Sequence, residues 1–236
     1  MTGWDRHLGH LVWRAVAFYS MIEVQIRPDS QEFPEVTLEV FREIAVSVEL
    51  EVRALLPCLP AEMTLLVGHG ARFIPETDEL GGSVAPGLVS WTVNSARMDG
   101  AALIARASLR HTLFHELHHQ ARGWVMRGGM RKQVFIDGPV SEGLATAFER
   151  DEAEWEPPWG VYPEQELVEG WVRELLGLPV DADYRQWMFS HPDGRRWIGY
   201  RAGTFIADRA RAAAGTSAAQ LVKTPTTDIL VMAGFG

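Results

Sequence analysis

Cysteine is nearly missing: Cys58 is the only one in 236 residues, so the chain can form neither an intramolecular disulfide nor a thiolate-held metal site. Any metal has to sit on histidine and carboxylate. Lysine is almost as scarce, with only Lys132 and Lys223, and the formal net charge is -9 at pH 7. That balance disfavours nucleic acid as a main partner, because phosphate binding needs a basic surface. Long apolar runs are lacking as well. The most apolar early stretch, Leu11 to Ile22, contains Arg14, follows several polar residues and has no convincing small-residue cleavage site. It is too short and too interrupted for a transmembrane helix or a signal peptide, so no membrane partner is expected and the default location is cytoplasmic.

What is there has an ordinary globular composition, 47% hydrophobic and 22% charged. A chain of this length can bury a substantial core, and one cooperative unit over 1–236 with two lobes around a cleft is expected. Tyr19 to Arg27 alternates apolar and polar residues around Ile22, Val24 and Ile26 before Pro28, the pattern of a half-buried strand. Phe41, Ile44, Ala45, Val48, Val52 and Leu55 then recur at helical spacing up to Pro57, which predicts a helix with one face on a sheet. Met63 to Val67 and Leu88 to Asn94 supply further strands; in the second, Val89, Trp91 and Val93 alternate with Ser90, Thr92 and Asn94. Gly81, Gly82, Pro86 and Gly87 punctuate the approach to that strand, which is expected to edge the cleft and pair with an extended substrate.

Ala101 to Arg122 has no Pro or Gly and stops at Gly123, so a long helix is predicted there. Another starts at Asp137-Gly138-Pro139, with Asp137 as its cap and Val140, Leu144 and Phe148 as its apolar stripe. Glu149 to Pro163 is acidic, contains Pro157, Pro158 and Gly160, and reads as a surface loop or lid. Helices follow over Glu164 to Leu176 and Arg195 to Ala214. Strands first and helices later predict an α+β fold.

The long helix carries His115-Glu116-Leu117-His118-His119. Residues four apart share a helix face, with Cβ atoms roughly 5 to 6 Å apart, so His115 and His119 can converge on one tetrahedral ion. Glu116 is rotated by about 100° from His115, beside the ligands and off the metal, where it can act as base toward a metal-activated water. Chance alone yields this pattern in on the order of one chain in a hundred, so its context matters. Here it lies inside a long helix, after an apparent edge strand and before a second helix that carries an acid. His111 also lies four residues before His115, but Thr112 follows it and cannot serve as a base. His118 could compete with His119 only by leaving no Glu in the required position. His7, His10, His69 and His191 fit surface or loop positions, with His191 able to reach the cleft.

Catalytic zinc usually has three protein ligands. A third His six residues after His119 is excluded, because Val125 stands there. Asp137, Glu142, Glu149 and Glu152 are the carboxylates at hand. Glu142 is favoured because it points away from the apolar stripe, while small Gly143 and Ala145 would let its helix approach the motif helix. Glu149, the second choice, lies two turns further along, roughly 10 Å away, so both cannot bind one ion.

The words HELHH, SEGLA and WIGYRAG together resemble the gluzincin zinc peptidases. They look like an uncharacterised group of predicted zinc-dependent proteases, more distantly similar to the glycyl aminopeptidases, over roughly Met63 to the C-terminus. The Gly-x-Met-Glu-Asn substrate motif of the better-known aminopeptidases is absent. The resemblance implies Zn2+ as cofactor, His115, His119 and Glu142 as ligands, Glu116 as base and Tyr200 as oxyanion donor; a Tyr packed between helices is the alternative for Tyr200. It also implies a zincin-like fold, with a small mixed sheet and the motif helix in an N-terminal lobe, 1–123, and a mostly helical C-terminal lobe, 124–236. The expected activity is hydrolysis of a peptide or protein substrate. The alternatives are a zinc-bound but catalytically silent binding or regulatory module, which an intact Glu116 disfavours, and a hydrolase of a non-peptide amide.

Overall fold

The computed structural model describes residues 21–236, so most of the early apolar stretch and the expected strand's first two residues lie outside the described part. The strand itself, β1 (Glu23–Ile26), runs beside β2 (Thr64–Gly70) in parallel, and the two are joined through the long helix α1 (Glu35–Leu55). Phe41, Ala45, Val48 and Val52 bury the helix face that the periodicity marked, and Phe41 meets Trp91 edge-on at 5.2 Å. No helix among the described residues is long and apolar enough to cross a membrane.

The sheet is mixed, with strand order β1-β2-β4-β3, where β3 is Glu79–Ala85 and β4 is Leu88–Asn94. β4 is therefore an inner strand, parallel to β2 and antiparallel to β3, and does not edge the site as the alternation had suggested. Its Val89, Trp91 and Val93 are wholly inaccessible, a one-face burial that an inner and an edge strand share, so the alternation could not tell the two apart. The edge belongs to β3. Gly81 and Gly82 lie within β3, and their low strand propensity hid it in the sequence.

The expected helix from Ala101 to Arg122 is present with one irregularity: α2 (Ala101–Ile104) passes through a π turn at Ala105–Leu109 into α3 (Arg110–Arg122). Gly123 closes it in the left-handed region, φ 83°, where a side chain would be strained. α4 spans Asp137–Glu152 and is buried from Gly138 to Glu149, so Glu149 sits inside a helix and the loop begins later than its acidity suggested. Asp137 does not cap α4; its carboxylate accepts the N–H groups of Gln133 and Val134 and ties down the preceding turn. α5 (Gln165–Leu176) and α7 (Ile198–Ala214) match the expected helices, while the short α6 (Tyr184–Met188) and the C-terminal α8 (Thr226–Ala233) had no strong periodic signal.

Gly143 serves a different contact from the one anticipated. It faces α7, where a Cβ on it would lie 1.9 Å from the Gly203 carbonyl carbon, and a Cβ on Gly203 would lie 1.9 Å from Pro139 O. α4 and α7 thus cross backbone to backbone. That crossing fixes the helix that carries Glu142 and Glu149. The fold is α+β, with the motif helix α3 packed against α1, β3 and α4.

Candidate functional site

His115 and His119 sit one turn apart on α3, and Glu142 reaches them from α4. The two imidazole Nε2 atoms are 3.1 Å apart, and Glu142 Oε2 lies 3.2 Å from each. Three potential donor atoms at the corners of a nearly equilateral triangle can share one cation between them. Donor pairs on a tetrahedral ion with bonds of about 2.0–2.1 Å stand about 3.3 Å apart, so the triangle fits zinc. Two imidazoles and one carboxylate, with no thiolate in reach, are also a donor set that zinc accepts. Among the described residues this is the one cluster of three such side chains able to hold a metal.

Burial opposes charge on His115, yet Glu142 and Glu149 together hold its pKa well above the ordinary value. Burial likewise works against the Glu142 carboxylate, and His119 and His115 overcome it, keeping this group far below the usual carboxylate range. Glu149 Oε2 lies 3.1 Å from His115 Nδ1, on the ring nitrogen remote from the triangle. A carboxylate there selects the tautomer that leaves the Nε2 lone pair facing the metal position. Glu149 thus meets His115 at the nitrogen opposite to the one that Glu142 meets. Two turns of α4 place one carboxylate at each nitrogen of the same histidine.

Glu116 projects to the other side of His115, toward β3. A Cβ on Gly81 would come within 3.0 Å of Glu116 Oε1 and 2.4 Å of the Thr112 methyl, so only glycine allows strand and helix to approach this closely. Ser83 Oγ donates to Glu116 O at 2.9 Å and fixes the level of the helix against the strand. On the outer edge of β3, Ile74 N–H already donates to Glu79 O, and Met126 N–H donates to Ser83 O. Strand alternation then leaves Gly81 as the residue between them with outward N–H and C=O groups free for a ligand.

These groups open into a pocket of about 480 Å³, walled by apolar side chains that include Trp124, Met126, Met130, Trp159, Phe189 and Trp197. Trp159 comes from the stretch expected to be a surface loop or lid, and its side chain is packed into the wall. Tyr200 lines the same pocket, its ring 6.4 Å from that of His115. Burial, with Glu142 nearby, pushes its phenol well above the ordinary pKa, so the hydroxyl keeps its proton. Tyr184 was not anticipated. Its hydroxyl donates to Glu142 Oε1 at 3.4 Å, the oxygen turned away from the two histidines. Glu79 was missed as well: it is inaccessible, accepts from Trp91 Nε1 at 2.7 Å and Thr112 Oγ1 at 3.1 Å, and burial pushes its pKa up to about 7.

The other histidines stand apart. His118 points to the opposite side of α3, toward Ala218 O, and burial first of all pushes its pKa well down, so it is a neutral packing residue. His111 stacks on Trp155, His69 stacks on Phe33, and His191 pairs with Asp193 outside the pocket wall. His7 and His10 lie outside the described residues.

No curated protein and no solved structure matches the chain. A family model does, over residues 23–231, which include every residue of the triangle and its surroundings, and the chain therefore belongs to the family described as predicted Zn-dependent protease (DUF2268).

Proposed function

We propose that the chain hydrolyses peptide bonds, in a gluzincin arrangement with His115, His119 and Glu142 as zinc ligands and Glu116 as general base. The observation that carries this reading is the triangle of donor atoms, all within 3.2 Å, with Glu116 one residue from a ligand and turned to the pocket. Zinc, when bound, supplies Lewis acidity toward the scissile carbonyl and lowers the pKa of water toward neutrality.

The protein side chains do the rest. Gly81 offers its outward backbone groups to an extended substrate, which aligns the scissile bond beside Glu116. The Glu116 carboxylate takes a proton from the attacking water and delivers it to the leaving amine. Tyr200, protonated and half-buried, donates to the oxygen on which negative charge develops. Glu149 keeps His115 in the ligating tautomer, and the buried Trp159 and Trp197 rings limit bulk water on their side of the reacting atoms. The chain is read as one zincin-like unit with this cleft between a sheet-bearing and a helical lobe.

The test is zinc content and cleavage of a peptide library by the parent protein and Glu116→Gln. The variant should keep one zinc per chain and lose turnover, because Glu116 touches the water and not the metal. Equal cleavage by the two proteins rejects the mechanism.

A further inference from the structure

The loop that follows α3 closes one end of the pocket. Met126 and Arg127 donate their backbone N–H groups to Ser83 O and Val84 O at 3.0 and 2.9 Å, so this loop occupies the β3 edge just beyond Gly81. A ligand strand paired at Gly81 cannot continue in that direction. It meets Trp124, Val125, Met126 and Met130, all apolar, and then Lys132.

Lys132 is half-buried, and its Nζ rests over the Phe135 ring at 4.7 Å and the Tyr184 ring at 5.4 Å from the centroids. Among the described residues it forms no ion pair, in a chain where acidic groups outnumber basic ones and where Arg150, Arg195 and Arg211 each bind carboxylates. Aromatic faces attract the ammonium but give it no anion. The Tyr184 ring beneath it ends in the hydroxyl that donates to Glu142, which places the ammonium one phenol ring from the metal triangle. An anionic group held there would belong to a substrate residue next to the scissile bond or one beyond it.

We infer that the closed end of the pocket is a carboxylate subsite, with Lys132 as the residue that selects it. The ligand class is a peptide with a carboxylate on the side facing the loop, either an acidic side chain or a free C-terminus. Both sources present the same charge to the same half-buried ammonium, which the Phe135 and Tyr184 rings flank on its protein side. A wholly solvated lysine would discriminate little between charged and neutral ligands.

The inference rests on the peptide-ligand reading given above, and a binding measurement separates the two. Zinc-loaded Glu116→Gln protein is titrated calorimetrically with N-acetylated short peptides in matched pairs: Glu against Gln at each position, and C-terminal acid against amide. At least one acid form should bind roughly ten- to a hundredfold tighter than its neutral partner, the range for a hydrogen bond to a charged group. The pair showing the preference identifies the source of the carboxylate. Lys132→Met, which keeps the apolar stem, should abolish the preference, and Lys132→Arg should retain it. Equal binding within every pair, or a preference that survives Lys132→Met, overturns the subsite. Peptides bound normally but never cleaved by the parent protein would count against hydrolysis alone. Absence of any peptide binding overturns both.

Discussion

Replacing Glu149 by alanine should weaken zinc binding by roughly ten- to a hundredfold although no ligand is removed. The carboxylate faces His115 Nδ1 at 3.1 Å, and the two side chains are only 2% and 10% exposed. Water cannot readily replace the lost partner, so the Nδ1–H is left unsatisfied whenever Nε2 is the ligating atom. The imidazole also loses its fixed tautomer and orientation. At about 1.4 kcal/mol per tenfold, the expected loss is about 1.4–2.8 kcal/mol. Glu149→Gln should cost less, because the amide oxygen can accept the same proton. Glu142→Ala should cost more than either, since it deletes a corner of the triangle. Competition with a chelator of known zinc affinity measures all three, with circular dichroism to check that each variant is folded. If Glu149→Ala holds zinc as tightly as the parent, His115 does not depend on this carboxylate and the account of the site is wrong.

Tyr200→Phe should lower kcat roughly a hundred- to a thousandfold with little change in zinc content, as expected for an oxyanion donor; unchanged kcat leaves Tyr200 as a packing residue. The Glu79 carboxyl has its pKa raised by burial from 4.5 to about 7, so between those values the folded protein keeps a proton that the unfolded chain has lost. Stability should therefore fall as pH rises through that window, by about 3 kcal/mol at most. Glu79→Gln should flatten the dependence in urea unfolding, and an unchanged slope refutes the assignment. Gly203→Ala puts a methyl 1.9 Å from Pro139 O and should destabilise by about 1–3 kcal/mol or more. Thermal unfolding reads that loss, and zinc affinity should drop with it because α4 carries Glu142; an unmoved melting temperature would mean that the helix crossing is not tight.

The sequence alone determined the parts whose logic is local. Spacing of four on a helix is enough to bring His115 and His119 to one face, whatever the rest of the chain does. The long periodic helices were legible for the same reason, as were the stop at Gly123 and the position of Glu142 off the Val140, Leu144 and Phe148 stripe. What only the tertiary structure decided depends on which surfaces meet. Alternation in Leu88–Asn94 marks a strand but cannot say whether it lies inside a sheet or on its edge, since that depends on partners far along the chain. Of the two glycines that hid β3, Gly81 is required by the closeness of the strand to Glu116 and Thr112, a contact invisible from either segment by itself. Glu149 carried an acidic, loop-like signal because its charge was counted as solvated, whereas the fold buries it and sets it against His115. Tyr184 and Lys132 reach the site from a short helix and a loop without periodicity, so only the packing of the chain around α4 could bring them there.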